Sequence, residues 1–206
     1  MTLLRAAFVS LRPHQWTKNL LVFAALAFSK HLFEADAFMR TLLAFAIFCG
    51  LSGAVYLVND VADVERDRLH PRKKLRPVAS GLLGTRPAVA IAAALAVFCL
   101  GTAPVLGLPF LACAATYLAL NLAYSFHFKN AVILDVIAIS LGFVLRASAG
   151  AMAISVRISD WLLVCTLLLA LFLALSKRRH ELVSLSDGAS GHRAILAESA
   201  PTYSTR

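Results

Sequence analysis

Long apolar runs with few charges constrain the fold of this chain more than any other feature. A helix needs about 20 such residues to cross the hydrocarbon core of a bilayer. With 60% hydrophobic and 15% charged residues, the chain is not an ordinary soluble globule. We predict an all-α, polytopic membrane bundle over 1–183 and a polar tail over 184–206, with no separate soluble domain. The predicted spans are 11–33, 41–58, 88–108, 109–126, 131–156 and 161–176.

The distribution of positive charge predicts the orientation of these six spans. Of the 20 Lys and Arg residues, only Lys30, Arg40 and Arg157 fall on one face, and Arg146 lies within a span. Because cytoplasmic loops are enriched in Lys and Arg, we expect the N-terminus on the cytoplasmic side of a bacterial-type inner membrane. The net charge of +9 then reflects topology, and we expect no nucleic-acid partner. We expect no cleaved signal peptide, because polar residues interrupt the first run.

Polar residues gather at the start of the first predicted span. His14, Gln15, Lys18 and Asn19 follow Pro13 at spacings that form one stripe on an α-helix. We predict that this stripe faces a hydrated, protein-lined cavity, because polar side chains facing lipid are costly. The alternative is an interfacial anchor.

Three aspartates follow the second predicted span. Asp60, Asp63 and Asp67 are three and four residues apart, so they lie on one face if the helix continues. Carboxylates so arranged repel each other unless a cation lies among them. A sparse set of hard oxygen ligands suits Mg²⁺, which keeps several waters and is usually completed by substrate phosphates. We therefore predict a Mg²⁺ site here.

A basic run follows the aspartates directly and contains His70, Arg72, Lys73, Lys74 and Arg76. Arg makes bidentate contacts with phosphate oxygens, and Lys acts as a point charge. The acidic cluster and the basic run together predict a diphosphate-binding site. A solvated loop whose cations only fix topology is the alternative. That alternative explains the basic run, but it does not explain why three aspartates lie on one helix face.

Further candidates lie in the second half of the chain. Tyr124, Lys129 and Asp135 surround the next predicted cytoplasmic connection, although Tyr124 and Lys129 could each be simple membrane anchors. Arg146 shares a helix face with Asp135 about 16 Å away, and it is either a functional group or half of an internal salt bridge. A last basic segment, beginning at Lys177 and Arg178, follows the sixth span.

Several of these motifs occur in an order that resembles one superfamily. The cluster Asn59-Asp60-x-x-Asp63-x-x-x-Asp67 resembles the first aspartate-rich motif of the UbiA-type intramembrane prenyltransferases. The other motifs are similar to the decaprenyl-phosphate phosphoribosyltransferase branch of that superfamily. They are Arg12-Pro-His-Gln-Trp16-x-Lys18-Asn19, Asp67-x-x-His70-Pro71-x-Lys73-x-x-Arg76-Pro77, Tyr124-Ser-Phe-x-Phe-Lys129, Gly142-Phe-x-Leu-Arg146-Ala-x-Ala-Gly150 and Lys177-Arg178-x-x-Glu181.

The resemblance implies an enzyme with two phosphorylated substrates. A polyprenyl phosphate would attack phosphoribosyl diphosphate and release diphosphate, giving a lipid-linked precursor for cell-envelope arabinan. The resemblance implies that Asp60, Asp63 and Lys129 are catalytic and that Asp60, Asp63 and Asp67 hold Mg²⁺. The substrate-binding residues it implies are Lys18, Asn59, Lys73, Arg76, Tyr124, Asp135, Arg146, Lys177 and Arg178.

Two departures from the superfamily pattern keep alternatives open. The segment after the sixth span is basic, where a second aspartate-rich motif is usual, so aromatic prenyl transfer from a prenyl diphosphate is the second hypothesis. The superfamily fold has nine helices, and this chain has room for six. We expect helices seven to nine to be absent, which leaves the cavity wall open to lipid unless homo-oligomerisation closes it. An inactive membrane remnant is the third hypothesis.

Overall fold

The computed structural model describes residues 2–126, 132–176 and 179 of the chain. All regular elements in those residues are helical, so the all-α prediction is confirmed. The α-helices are α1 (Leu3–Ser10), α2 (Ala24–Phe28), α3 (Ala35–Ala62), α4 (Val64–Leu69), α5 (Thr85–Thr102), α6 (Leu108–Phe126), α7 (Val132–Ala153) and α8 (Asp160–Ser176). Segments of 3₁₀ helix occupy Pro13–Phe23, Lys73–Leu75 and Ala103–Leu106.

Four helical segments in the described part of the chain are long and apolar enough to cross a membrane. They are α3, α5 with its 3₁₀ extension, α6 and α7. Helix α8 is apolar but shorter. The chain is therefore a multi-pass membrane protein, as predicted, whereas the count of six spans stays a prediction.

The first predicted span does not form a continuous α-helix. Pro13–Phe23 is an 11-residue 3₁₀ helix that runs into the five residues of α2. A 3₁₀ helix rises about 2.0 Å per residue, so the two elements together still reach about 30 Å. At three residues per turn the predicted polar stripe is spread around the axis, and that prediction is wrong. Asn19 points into the core and is 1% exposed, whereas His14 and Lys18 are exposed.

Helices α3 and α7 form the centre of the bundle. In their most apolar stretches, 61% of α3 and 56% of α7 is buried inside the bundle. The corresponding shares are 22% for α5 and 28% for α6. One core cluster joins α3 to α6 through the rings of Phe48, Phe110 and Tyr117. Val22 of the long 3₁₀ helix packs into the same cluster. The irregular first span is therefore part of the core and not a peripheral anchor.

A second core cluster holds the segment between α4 and α5 against the bundle. Val78 and Leu83 of that segment are buried with Ala6 of α1, Leu57 of α3 and Ala88 of α5. This apolar contact brings the basic run back over the end of α3. The polar residues on both segments therefore meet at the same end of the bundle.

The long 3₁₀ helix passes against α7 at a glycine. A Cβ atom on Gly150 would lie 1.9 Å from the carbonyl oxygen of Val22, a distance that real contacts do not show. The two backbones can approach this closely only because position 150 has no side chain.

We expect Gly150→Ala to destabilise the protein, because α7 and the 3₁₀ helix must separate to admit a methyl group. Overpacking of this kind costs about 1–3 kcal/mol. Gly101→Ala on α5 is the matched control, since a Cβ there meets nothing within 4 Å. The measurement is the thermal unfolding midpoint in detergent, which should fall for Gly150→Ala only. Equal midpoints for the two variants would contradict the close approach.

Candidate active site

Two buried carboxylates and two arginines meet at the end of α3. Asp60 comes from α3 and Asp67 from α4, and each side chain is 2% exposed. Arg76 Nη1 lies 3.2 Å from Asp60 Oδ1 and 2.6 Å from Asp67 Oδ2. Arg12 Nη2 donates to the same Asp60 oxygen at 2.5 Å. We call these four residues the Asp–Arg quartet.

The aspartates reach this position although the helix is interrupted between them. Helix α3 ends at Ala62 and α4 begins at Val64, so the continuous helix assumed from the spacing is wrong at Asp63. Backbone hydrogen bonds from Asp63 to Asn59 and from Asp67 to Asp63 still span the junction with helical spacing. Helix α4 therefore continues in nearly the direction of α3, and Asp60 and Asp67 remain on the same side of the chain.

Asp63 is more exposed than the buried pair. Its side chain is 26% exposed, and its Oδ1 is 4.0 Å from Arg66 Nη1. Among the described residues, no group of three or more His, Cys, Asp or Glu side chains is arranged to hold a metal ion. The structure therefore brings together Asp60 and Asp67 but not all three predicted ligands.

The carboxylate oxygens of Asp60 and Asp67 are nevertheless suitable ligands for Mg²⁺. One arginine nitrogen reaches both carboxylates, so their oxygens are no farther apart than the sum of those two distances. Mg²⁺ sites commonly use one or two carboxylates, with water and substrate phosphates completing the shell. Asp60 and Asp67 meet that requirement, and Asp63 lies one residue past the end of α3, beside them in the chain.

Arg12 is the member of the quartet that the sequence analysis did not list as a site residue. Its backbone is in the left-handed region at φ 54° and ψ 63°, directly before Pro13. A non-glycine residue held there costs about 1–3 kcal/mol, and such residues are common at functional sites. Its guanidinium group also lies 4.8 Å from the ring centroid of Tyr56. In the sequence, the motif that begins with Arg12 and Pro13 is the signal that could have indicated this residue. Its positive charge was explained instead by the cytoplasmic location of its segment.

Three other predicted residues are more exposed than the aspartates of the quartet. Asn59 is half-buried on α3, and Lys73 is exposed at the start of its 3₁₀ turn. Lys18 is exposed on the long 3₁₀ helix, where it lines a mostly apolar groove with Phe143 of α7 and Leu169 of α8. None of these three residues is a member of the quartet.

Arg146 is buried in the membrane-spanning part, and its partners are neutral. Its Nε donates to Asn19 Oδ1 at 2.8 Å, its Nη1 to the Gly142 carbonyl oxygen at 2.8 Å, and its Nη2 to the Tyr117 hydroxyl at 2.7 Å. Asn19 in turn donates to Ser52 Oγ at 3.2 Å. Within the described part of the chain Arg146 makes no ion pair, so the internal salt-bridge alternative is not observed there. We call these contacts the Arg146 network.

Tyr124 and Asp135 form a separate contact between α6 and α7. The Tyr124 hydroxyl donates to Asp135 Oδ1 at 2.7 Å, and Asp135 is 6% exposed. The two residues are thus adjacent, as their places around one connection predicted. The predicted site residues Lys129, Lys177 and Arg178 and the tail 184–206 lie outside the described residues.

Comparison with known families now identifies the fold. The family model described as the UbiA prenyltransferase family matches residues 19–181. The chain belongs to the UbiA prenyltransferase family. This UbiA chain is also similar in structure to a UbiA homolog from Archaeoglobus fulgidus bound to GPP and Mg²⁺, with a TM-score of 0.70 and 23% identity. That likeness covers 81% of this chain and 60% of the other, and at this identity it shows the fold alone.

Several curated relatives of this UbiA chain share one name. The chain is 37% identical to the decaprenyl-phosphate phosphoribosyltransferase of Corynebacterium glutamicum, over 94% of this chain and 60% of that protein. It is 40% identical to the protein of that name from Mycolicibacterium smegmatis, over 84% of this chain and 56% of the relative. It is 34% identical to the protein of that name from Mycobacterium tuberculosis, over 94% of this chain and 66% of the relative. The UbiA chain thus spans less than two thirds of the length of these relatives.

The Arg146 network generates a stability prediction. Arg146→Lys should destabilise the UbiA chain, because an ammonium group cannot reach three acceptors in one plane as a guanidinium group does. Loss of hydrogen bonds to a buried charge costs about 1–3 kcal/mol. The measurement is the thermal unfolding midpoint in detergent, with Arg157→Lys at an exposed loop position as the matched control.

Tyr117→Phe should lower the midpoint as well, and its effect should be smaller in the Arg146→Lys background than alone. Additive effects of the two substitutions would contradict a shared network.

Proposed function

We propose that this chain is an integral membrane transferase that moves 5-phosphoribosyl from phosphoribosyl diphosphate to a polyprenyl phosphate such as decaprenyl phosphate. The observation that carries the proposal is its likeness to three decaprenyl-phosphate phosphoribosyltransferases over 84% to 94% of the chain. The buried carboxylate pair beside a basic segment supports it, because that combination suits a diphosphate with a divalent cation.

In the proposed reaction an oxygen of the lipid phosphate attacks the anomeric carbon of the sugar. The bond from that carbon to the diphosphate oxygen breaks, and diphosphate leaves with the electron pair. Asp60 and Asp67 would hold Mg²⁺, and Asp63 as a third ligand stays a prediction. When bound, the cation supplies charge neutralisation for the leaving diphosphate.

The basic residues of the chain would bind the remaining phosphate charge. Arg76 lies at the carboxylates, and Lys73 is exposed one turn earlier in the same segment, where both can meet a diphosphate. Tyr124 and Asp135 would orient the sugar through their hydroxyl and carboxylate groups. The assignments of Asn59, Arg146, Lys129, Lys177 and Arg178 to substrate binding or catalysis stay predictions.

The acceptor would enter from the bilayer. A polyprenyl chain partitions into lipid, so the enzyme needs only to hold the phosphate head near the membrane surface. Lys18 lies on a segment that borders an apolar groove, an arrangement suited to an anionic head with an apolar tail. Homo-oligomerisation of the chain is a further part of this proposal.

The reaction predicts Mg²⁺-dependent diphosphate release by the purified full chain in detergent when both substrates are present. Asp60→Asn should lower the rate at least about 100-fold, because it removes an anionic ligand from the position where leaving-group charge must be neutralised. Glu65→Gln is the matched control, since this exposed carboxylate on α4 pairs only with Arg68 among the described residues. The measurement is the rate of diphosphate formation with the lipid product followed in parallel.

Two outcomes would overturn the proposal. Product that persists in Asp60→Asn would remove the quartet from the reaction. Turnover of geranyl diphosphate with an aromatic acceptor, but not of phosphoribosyl diphosphate, would assign the chain to prenyl transfer instead.

The site is proposed to face the cytoplasm at the inner membrane. In a cysteine-free background, Arg72→Cys in the basic segment should react with a membrane-impermeant maleimide only in inverted vesicles. Arg157→Cys, after α7, should react only in right-side-out preparations. The reverse pattern would place the site on the opposite side, where phosphoribosyl diphosphate is not supplied by cytoplasmic metabolism.

A further inference from the structure

The carboxylates of the quartet are shielded by arginines. Asp60 and Asp67 are each 2% exposed, whereas the side chains of Arg12 and Arg76 are 24% and 29% exposed. The guanidinium groups therefore lie on the solvent side of the acids. A cation that binds Asp60 Oδ1 or Asp67 Oδ2 must therefore displace a guanidinium group.

The contacts also occupy one oxygen of each carboxylate. Asp60 Oδ1 accepts from both Arg12 and Arg76, and Asp67 Oδ2 accepts from Arg76. Two negative and two positive charges are thereby balanced within the quartet. A divalent cation that entered alone would bind the carboxylates of Asp60 and Asp67. The partly buried guanidinium groups of Arg12 and Arg76 would then lack counter-ions.

A diphosphate that entered alone would face the opposite problem. It would attract the guanidinium groups away from Asp60 and Asp67 and leave two carboxylates buried without partners. If cation and diphosphate enter together, every charge keeps a partner. The carboxylates then bind the cation, and the guanidinium groups bind diphosphate oxygens.

We propose that Arg12 and Arg76 are exchangeable counter-ions that pass from the aspartates to the diphosphate when a divalent cation binds. This inference rests on the proposed function and adds Arg12 as a diphosphate-binding residue. It makes the metal and the diphosphate bind as one unit, since each ligand removes the cost that the other would create. Arg12 is suited to this role because its left-handed backbone and the following Pro13 fix where its side chain begins.

The test compares binding of the metal alone with binding of the metal–diphosphate complex. Mn²⁺ is the probe, because its free concentration is read by electron paramagnetic resonance, and premixed Mn²⁺–pyrophosphate is titrated separately by calorimetry. We expect Arg12→Gln to bind Mn²⁺ alone at least about fivefold more tightly than the unmodified chain. The same variant should bind Mn²⁺–pyrophosphate at least about fivefold more weakly, within the usual range of coupling between ligands.

Opposite changes in the two affinities distinguish this role from a structural one, which would weaken both. Arg76→Gln should likewise bind Mn²⁺ more tightly and Mn²⁺–pyrophosphate more weakly than the unmodified chain. Arg12→Lys should lie between Arg12→Gln and the unmodified chain, and it serves as the second variant if Arg12→Gln does not give monodisperse protein. Arg5→Gln on α1 is the matched control, since it removes an exposed positive charge with no ion pair among the described residues, and both affinities should be unchanged.

Weaker or unchanged Mn²⁺ binding by monodisperse Arg12→Gln and Arg12→Lys would overturn the exchange while leaving the proposed function intact. Failure of the folded, unmodified chain to bind either Mn²⁺ or Mn²⁺–pyrophosphate would overturn the proposed function itself. The two failures are therefore distinguishable.

Discussion

The buried Arg146 guanidinium group determines how the helices of this protein fit together. An arginine in the membrane-spanning region is tolerated only where its donors are satisfied inside the protein. Three elements supply the acceptors, namely the long 3₁₀ helix through Asn19, α6 through Tyr117 and α7 through Gly142. Asn19 continues the network to Ser52 on α3. Four segments that are distant in sequence are thus fixed relative to one charge.

This arrangement also fixes the quartet. Arg12 precedes the same 3₁₀ helix that carries Asn19, about 14 Å away at 2.0 Å per residue. Asp60 lies two turns beyond Ser52 on the same helix α3. The membrane-buried network and the quartet therefore share two supporting segments, the chain around the long 3₁₀ helix and α3. Side chains on helices that are locked in this way are positioned more precisely than side chains on loops.

Most of the helical architecture could be predicted from apolar runs alone. Helices α3, α5, α6, α7 and α8 fall within or around the predicted spans, with ends that differ by several residues. The first span was misassigned because polar residues spaced over two turns do not distinguish 3.0 from 3.6 residues per turn. The segment also packs closely against Gly150, and this is a tertiary contact that no local pattern indicates.

The candidate site was predictable in part for the same reason. Helical spacing predicted that Asp60 and Asp67 lie close together, and this spacing survives the break at Asp63 because backbone hydrogen bonds span it. The contact of Arg12 with Asp60 could not be predicted, because it joins residues 48 positions apart and follows from a left-handed backbone at Arg12. The neutral partners of Arg146 were equally inaccessible, since no local pattern links Asn19 to Tyr117.

The charge balance of the quartet bears on how a site built on carboxylates would receive the anionic substrate that we propose. Free aspartates would repel a diphosphate, but Asp60 and Asp67 are already neutralised by Arg12 and Arg76. The exposed cations of the neighbouring segment, Arg72, Lys73 and Lys74, are then in excess. Excess positive charge around a neutral site attracts anions over several ångströms. In the proposed exchange, the aspartates therefore bind the cation only when the anion has also arrived, and the basic segment attracts that anion.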